Sequence, residues 1–321
     1  MSAVESYGAQ TVGSVPFVVA EELDPLVAFC ERVGLPLQRL PAGLHSGDAA
    51  LPLVCAGRIW EEATRVAGDE GLGLRVGAAS RFEDVLPGQY VVGSPTIGKG
   101  LAAVAAAVGR YCTGEQMRIT VIGDDAWVQR RHTDALRRGR RQVNDFALRI
   151  VMDIVRRGAG PPWRPAELHL EGPLPAHAEE LAALATRSTH FGAAAECLVF
   201  PRSVLALPLP PSADSYFTPG ASLPNLEFTD SIRQAMRALL EVGELKLPSV
   251  AEAAGMSVRS LQRRLAASNL SFARLVDEAR YEVASALLRD PDVRVVDISA
   301  ELGYTDAANF TRAFRRWAGV P

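Results

Sequence analysis

Between Phe228 and Trp317 the chain reads as six helices, and their order is its tightest constraint: two pairs of short helices flank one long helix. The expected spans are Phe228 to Val242, Ser249 to Ala254, Val258 to Ser268, Phe272 to Leu288, Val296 to Leu302 and Asp306 to Trp317, divided by turns rich in Gly, Pro or Asp. Gly255 and Gly303 stand at matching places within the two pairs, where a helix end needs a residue that tolerates positive φ. The architecture is duplicated, so this part of the chain is expected to be all-α.

Each pair has the local chemistry of a helix-turn-helix. In AEAAGMSVRSLQRRL the small Ala253 and Ala254 let two helices approach, Gly255 turns the chain, and Ser257 is placed to cap the second helix. At about 100° per residue, Val258, Leu261 and Leu265 fall on one face and Arg259, Gln262 and Arg263 on the opposite one. Arginine can bond guanine O6 and N7 together, and glutamine adenine N6 and N7, so the outer face suits major-groove edges. The second pair, ISAELGYTDAANFTRAFRRWAG, repeats the logic with Thr305 or Asp306 as cap and Phe310, Phe314 and Trp317 as the apolar stripe. Asn309, Arg312 and Arg316 project together there, but Ala307 and Ala308 take the early helix positions that usually reach bases, so more phosphate anchoring and less reading is expected.

Upstream the pattern changes. The Pro, Ser and Gly of PLPPSADSYFTPGASLPN, residues 208–225, interrupt every period and mark a linker. Before it, strand-like runs (QYVVG, MRITVIG, ELHLEG, ECLVF) alternate with helical stretches at Gly100 to Arg110 and Gln142 to Arg157. The expected organisation is a flexible N-terminus over 1–16, an α+β effector-sensing or dimerisation domain over 17–207, a linker over 208–225, and an all-α domain of two helix-turn-helix units joined by a long helix over 226–321.

The 321 residues exceed one ordinary core, and their apolar content of 48 % suffices for sizeable ones. No run approaches the roughly 18 apolar residues of a membrane span, and the opening MSAVESYGAQ lacks the pattern of a signal peptide, so a soluble, cytoplasmic protein with no membrane partner is expected. Cys30, Cys55, Cys112 and Cys197 and the five histidines (His45, His132, His169, His177, His190) show no metal-ligand spacing. The cysteines are read as reduced core thiols, with no metal and no cofactor. No Ser/His/Asp or Cys/His arrangement stands at motif spacing, so no enzyme is expected. The net charge is −3, and residues 225–321 hold thirteen basic and thirteen acidic side chains. A nucleic-acid surface must therefore come from local clustering of arginines.

GMSVRSLQRRL, the long helix with Arg280 in DEARYEVASALL, and ELGYTDAANFTRAFRRWAGV together resemble the AraC/XylS family of transcription regulators, over roughly Leu247 to Pro321. Two such units in order are far more specific than a lone helix-turn-helix. The resemblance implies sequence-specific binding of promoter duplex DNA, with Arg259, Ser260, Gln262 and Arg263 on the first recognition helix and Asn309, Thr311, Arg312 and Arg316 on the second. The long helix would hold both in the major groove on one side, about one helical turn (~34 Å) apart. It also implies an activator, contact with RNA polymerase, and a possible homodimer. Family members usually continue past the tryptophan-containing helix with a further Pro and a short final helix. Upstream, VLPGQYVVGSPTIGKGLAAVAAAVGRY, GPPWRPAELHLEGPLP and FGAAAECLVFPRSVLALPLPPSAD resemble the arabinose-binding-type sensor domain of one branch of that family. A small-molecule effector is implied there, at residues that no motif marks.

Two other readings compete. Gly93, Gly98 and Lys99 in GSPTIGKG match P-loop spacing between a strand and a helix, which would make a nucleotide-binding regulator; but Gly100 stands where a Ser or Thr should meet magnesium. The other reading makes the helices a protein-interaction module that binds no DNA. The cluster RRHTDALRRGRR, residues 130–141, is expected to be a solvated loop and helix face.

Overall fold

A computed structural model describes residues 14–36, 50–211, 222–223, 226–241, 243, 245–290 and 292–319. The chain divides into two compact units, one of Phe17–Leu223 and one that holds the helices after Pro224 with the short stretch before Phe17.

In the first unit, β1 (Phe17–Val19) and β2 (Ala50–Pro52) form an antiparallel pair, with Phe17 opposite Pro52. The helices are α1 (Asp24–Arg32), α2 (Leu53–Ala67), α3 (Leu72–Ala79), α4 (Leu86–Gln89), α5 (Ile97–Tyr111), α6 (Arg140–Ala159) and α7 (Ala178–Ala182). The strands β3 (Glu115–Ile122), β4 (Asp125–His132), β5 (Glu167–Glu171), β6 (Ser188–Ala193) and β7 (Glu196–Pro201) make one sheet in the order β3-β4-β7-β5-β6. Only β5 and β6 run parallel. Strand alternation gives the sheet one apolar face. Ala126, Val128, Leu168, Leu170, Leu198 and Phe200 lie on it and are buried in a common core with Ile97, Leu101, Val104, Ile150 and Ile154 of α5 and α6. The helices cross closely where glycines permit: a Cβ on Gly73 of α3 would sit 2.1 Å from the Gln142 carbonyl of α6, and one on Gly77 2.6 Å from Arg149 Cβ.

The same sheet face carries a polar belt. Arg130 of β4 donates to Glu115 Oε1 through Nε at 2.7 Å, with Nη2 2.5 Å from the same atom. Arg140 donates to Glu171 (3.0 Å) and to the carbonyls of Thr133 and Leu136. Asp145 meets His177 Nε2 at 2.7 Å, and Glu196 accepts from Asn144 and from the Glu171 amide. Burial, the largest influence on Glu196, holds its carboxyl up at about 7 despite the amide and Arg141 beside it. These pairs correct the expectation of a solvated arginine cluster in part: Arg131, Arg137 and Arg138 are exposed, but Arg130 is only 4 % exposed and Arg140 and Arg141 are half-buried against acids on other elements.

QYVVG is not a strand: Gln89 ends α4, and Tyr90 to Gly93 turn, with Gly93 at φ 77°. The neighbouring P-loop spacing is a packing device. Thr96 caps α5 by accepting from the Lys99 amide, Ile97 N donates to the Leu207 carbonyl, and Leu209 N to the Pro95 carbonyl. A Cβ on Gly98 would lie 3.0 Å from the Leu205 carbonyl oxygen, and one on Gly100 3.0 Å from Val91. The Ile97 and Lys99 amides that a phosphate would need are thus already bonded within the protein. The expected linker begins with four residues, 208–211, that pack in this unit (Leu209 is buried); most of the remainder, like residues 1–13, lies outside the described residues.

In the second unit the described residues hold helices and turns alone: α8 (Phe228–Glu241), α9 (Leu247–Ala253), α10 (Val258–Ala267), α11 (Phe272–Leu287), α12 (Val295–Glu301) and α13 (Ala307–Ala318). Each of the six helices expected in this part of the chain is present to within two residues at each end. Gly255 and Gly303 adopt φ of 63° and 77°, as a non-glycine side chain rarely does. No helix of the described residues is long and apolar enough to cross a membrane.

Candidate nucleic-acid interface

The first helix-turn-helix is α9 and α10. Val250, Ala251, Ala253 and Ala254 are buried on α9, Leu261 and Leu265 on α10, and Ile232, Met236 and Leu239 of α8 are buried as well. The Ser257 hydroxyl accepts from the Ser260 amide at 3.2 Å and donates to Ser260 Oγ at 2.9 Å, so one side chain both caps α10 and holds Ser260. Val258, expected in the apolar stripe, is 36 % exposed, because the first residue of the helix stands above the turn that Leu261 and Leu265 bury. Arg259, Gln262 and Arg263 are exposed on the opposite side, and their side chains make no hydrogen bond or ion pair among the described residues. Arg264 turns the other way and lies over the Phe228 ring at 4.0 Å, a packing role that leaves it off the outer face.

The second unit, α12 and α13, is held by aromatic side chains. Tyr304 meets Phe310 at 5.8 Å and Trp317 at 6.2 Å, Phe310 meets Phe314 at 5.8 Å, and Tyr281 of α11 meets Phe314 at 5.4 Å. Arg280 lies over the Tyr304 ring at 5.3 Å, so this arginine of the long helix is part of the packing. Asp306 is the cap, accepting from the Asn309 amide at 2.7 Å.

The outer side of α13 is more committed than that of α10. Asn309 is half-buried; its amide group donates to Asp306 and its oxygen accepts from Arg312. The Thr311 hydroxyl donates to the Ala307 carbonyl at 2.7 Å, and Arg316 pairs with Asp277 of α11 at 3.6 Å. Arg312 and Arg316 are exposed, and so is Arg315, which the sequence reading passed over. Its position seven residues after Ala308 and four after Thr311 brings it back to nearly the same face, a signal present in the helical period.

The geometry thus has one recognition helix with free guanidinium and amide groups and a second whose polar groups are engaged with one another. A model for the arabinose-binding domain of AraC transcription regulators matches residues 25–209, and one for a helix-turn-helix domain matches residues 250–321. A protein described as an uncharacterized HTH-type transcriptional regulator of Mycobacterium tuberculosis is 35% identical over 140 residues, 40% of this chain and 40% of its own, so the match spans less than half of that relative. The ornithine utilization regulator of Pseudomonas aeruginosa is 26% identical over 330 residues, covering 96% of this chain and 95% of its own. The crystal structure of the transcriptional regulator CdpR from the same organism superposes with a TM-score of 0.44 at 20% identity, over 93% of this chain and 95% of that one. With the first model spanning more than half of its residues, the chain belongs to the AraC transcription regulators that carry an arabinose-binding-type N-terminal domain.

Proposed function

We propose that the protein is a sequence-specific regulator that reads two major-groove segments of promoter DNA, one with each recognition helix. The observation that carries this reading is the outer face of α10, where Arg259, Gln262 and Arg263 stand exposed and unpaired among the described residues. Those side chains, with Ser260 steadied by Ser257, read base edges; Asn309, Thr311, Arg312 and Arg316 contact DNA from α13. Because Asn309 and Arg316 already have partners on the protein, α13 exchanges internal bonds for DNA bonds and anchors more than it reads.

Residues 17–207 form the effector-sensing or dimerisation domain, 208–225 the linker and 226–321 the DNA-binding domain. A small effector acts through its different affinity for the competent and incompetent arrangements, RNA polymerase is the downstream partner, and the output is activation from a homodimer.

Selection of bound sequences from a random duplex library, at stated salt, tests the reading. The expected result is a motif with two elements about one helical turn apart, relaxed at a single position by Arg263→Ala. No enrichment with the full chain would overturn it.

A further inference from the structure

At the base of the β3–β4 hairpin the N-terminal unit gathers three side chains of the types that bind borderline metal ions. Cys112 directly follows α5, Glu115 opens β3 and His132 closes β4. Backbone pairing brings them together: Glu115 and His132 are register partners, and Cys112 bridges Val18 of β1. The thiol sulfur, a carboxylate oxygen and an imidazole nitrogen lie within 4.8 Å of one another. Cys112 and His132 are each only 3 % exposed.

The spacing suits two ligands of one ion as well as a long hydrogen bond. His132 Nε2 lies 3.4 Å from Glu115 Oε2, longer than the ~2.7–3.2 Å of an N–H···O bond. Two ligands each ~2.0–2.1 Å from a tetrahedral ion stand about 3.3–3.4 Å apart. The surroundings agree. Arg130 holds the other oxygen, Oε1, of Glu115 and so orients the carboxylate. The Gly114 amide donates to the Cys112 thiol, although burial, the largest influence, holds that thiol well above its usual range. His132 Nδ1 and Glu22 Oε1 are buried without a hydrogen-bond partner, and Glu22 interacts electrostatically with both Glu115 and Cys112.

We propose that Cys112, Glu115 and His132 bind one divalent cation of the zinc class. One sulfur, one imidazole nitrogen and carboxylate oxygen suit zinc and cobalt, whereas magnesium and calcium take oxygen donors. On binding, the Cys112 S–H proton leaves to solvent as the sulfur–metal bond forms, and the His132 imidazole supplies a lone pair. The ion ties the end of α5 to both ends of the hairpin. Sequence spacing hides the site because its donors sit on three elements, with Cys112 and Glu115 close in the chain and His132 arriving only through strand register.

A second group, Glu167, His169 and His190, has its donor atoms equally close, but there the two imidazoles stack at 4.7 Å with planes 25° apart. All three side chains are already engaged, Glu167 with Arg187 and His169, and His190 with Ser188. It serves as the control.

The test uses the full-length chain, stripped by chelator and titrated with Zn2+ and, separately, Co2+. The expected result is one bound equivalent of each, with a thiolate-to-cobalt charge-transfer band. Cys112→Ser removes that band, both Cys112→Ser and His132→Gln weaken Zn2+ binding by at least about 100-fold, and His190→Ala leaves both unchanged. The proposal is overturned if wild-type protein binds no stoichiometric Zn2+, if its Co2+ form lacks the band, or if the band survives Cys112→Ser. The wild-type Co2+ spectrum decides even where a variant does not fold, and none of these readouts depends on DNA.

Discussion

Arginine does opposite work in the two units. In the N-terminal unit Arg130, Arg140 and Arg141 face inward from one short stretch of chain onto Glu115, Glu171, Asp145 and Glu196. In the helical unit Arg259, Arg263 and Arg312 stand exposed, and the first two have no partner among the described residues. Clustering in sequence does not separate these cases; element geometry does. Arg130 sits on a strand whose even positions face a core, and its register partner Glu196 faces the same way. Arg259 and Arg263 sit on a helix whose opposite side is closed by Leu261 and Leu265. A buried guanidinium must be matched by acids from elsewhere in the fold, whereas an exposed one remains available to a polyanion.

The contrast predicts, first, that Arg130→Ala destabilises the N-terminal unit by about 3–5 kcal/mol, since it strands the Glu115 carboxylate without its cation. Arg263→Ala should leave the denaturation midpoint within experimental error. Equal effects of the two substitutions on a denaturant curve would break the comparison. Second, Gly73→Ala should cost about 1–3 kcal/mol through overpacking of α3 on α6, because its Cβ would meet the Gln142 carbonyl. Gly109 in α5 has no heavy atom within 4 Å of a built Cβ. Gly109→Ala should therefore stabilise by about 0.5–1 kcal/mol. Thermal melts of both variants check the pair.

The helical unit was the more legible in sequence because its determinants are local. Caps, turn glycines and apolar stripes lie within one or two turns of the residues they organise, and Ser257, Gly255, Asp306 and Gly303 all act where the helical period places them. The N-terminal unit depends on pairing between distant segments. QYVVG carries strand-forming residues yet is folded into a helix end and turn, where Val91 packs against Gly100 of α5. The partners of the arginine cluster come from β3, β5 and β7, which no local period reveals. Within the candidate interface the positions were readable, but their internal bonds were not, since Asp277 reaches Arg316 from another helix.

Acid–base behaviour should divide the units in the same way. Burial, the largest influence on Glu196, raises its carboxyl from 4.5 to about 7, with Asp145 adding to the rise and the Glu171 amide, Arg141 and Arg130 opposing it. The folded state therefore keeps a proton that the unfolded chain loses above about 4.5. Its contribution is fully present below that pH and declines as pH rises through about 7, with a slope of at most about 1.4 kcal/mol per pH unit. Glu196→Gln should flatten that part of the stability profile of the full chain, and an unchanged profile would remove Glu196 as the cause.

The smallest effect sharpens the comparison most, because Arg316 belongs to both categories. It is exposed on the recognition helix, yet it pairs with Asp277 at 3.6 Å. If it only anchors phosphate, Arg316→Ala should weaken binding uniformly across DNA sequences and reduce the salt slope by about one. The folded protein should lose roughly 0–1 kcal/mol, as expected of an exposed pair. Asp277→Asn then acts in the opposite direction on binding: at the same roughly 0–1 kcal/mol of stability it frees the guanidinium and removes a negative charge that phosphate would otherwise face. Affinity should rise for all duplexes alike, most at low salt, with the preferred motif unchanged. A changed motif in either variant would move Arg316 from anchoring to reading, and α13 would then contribute to specificity in its own right.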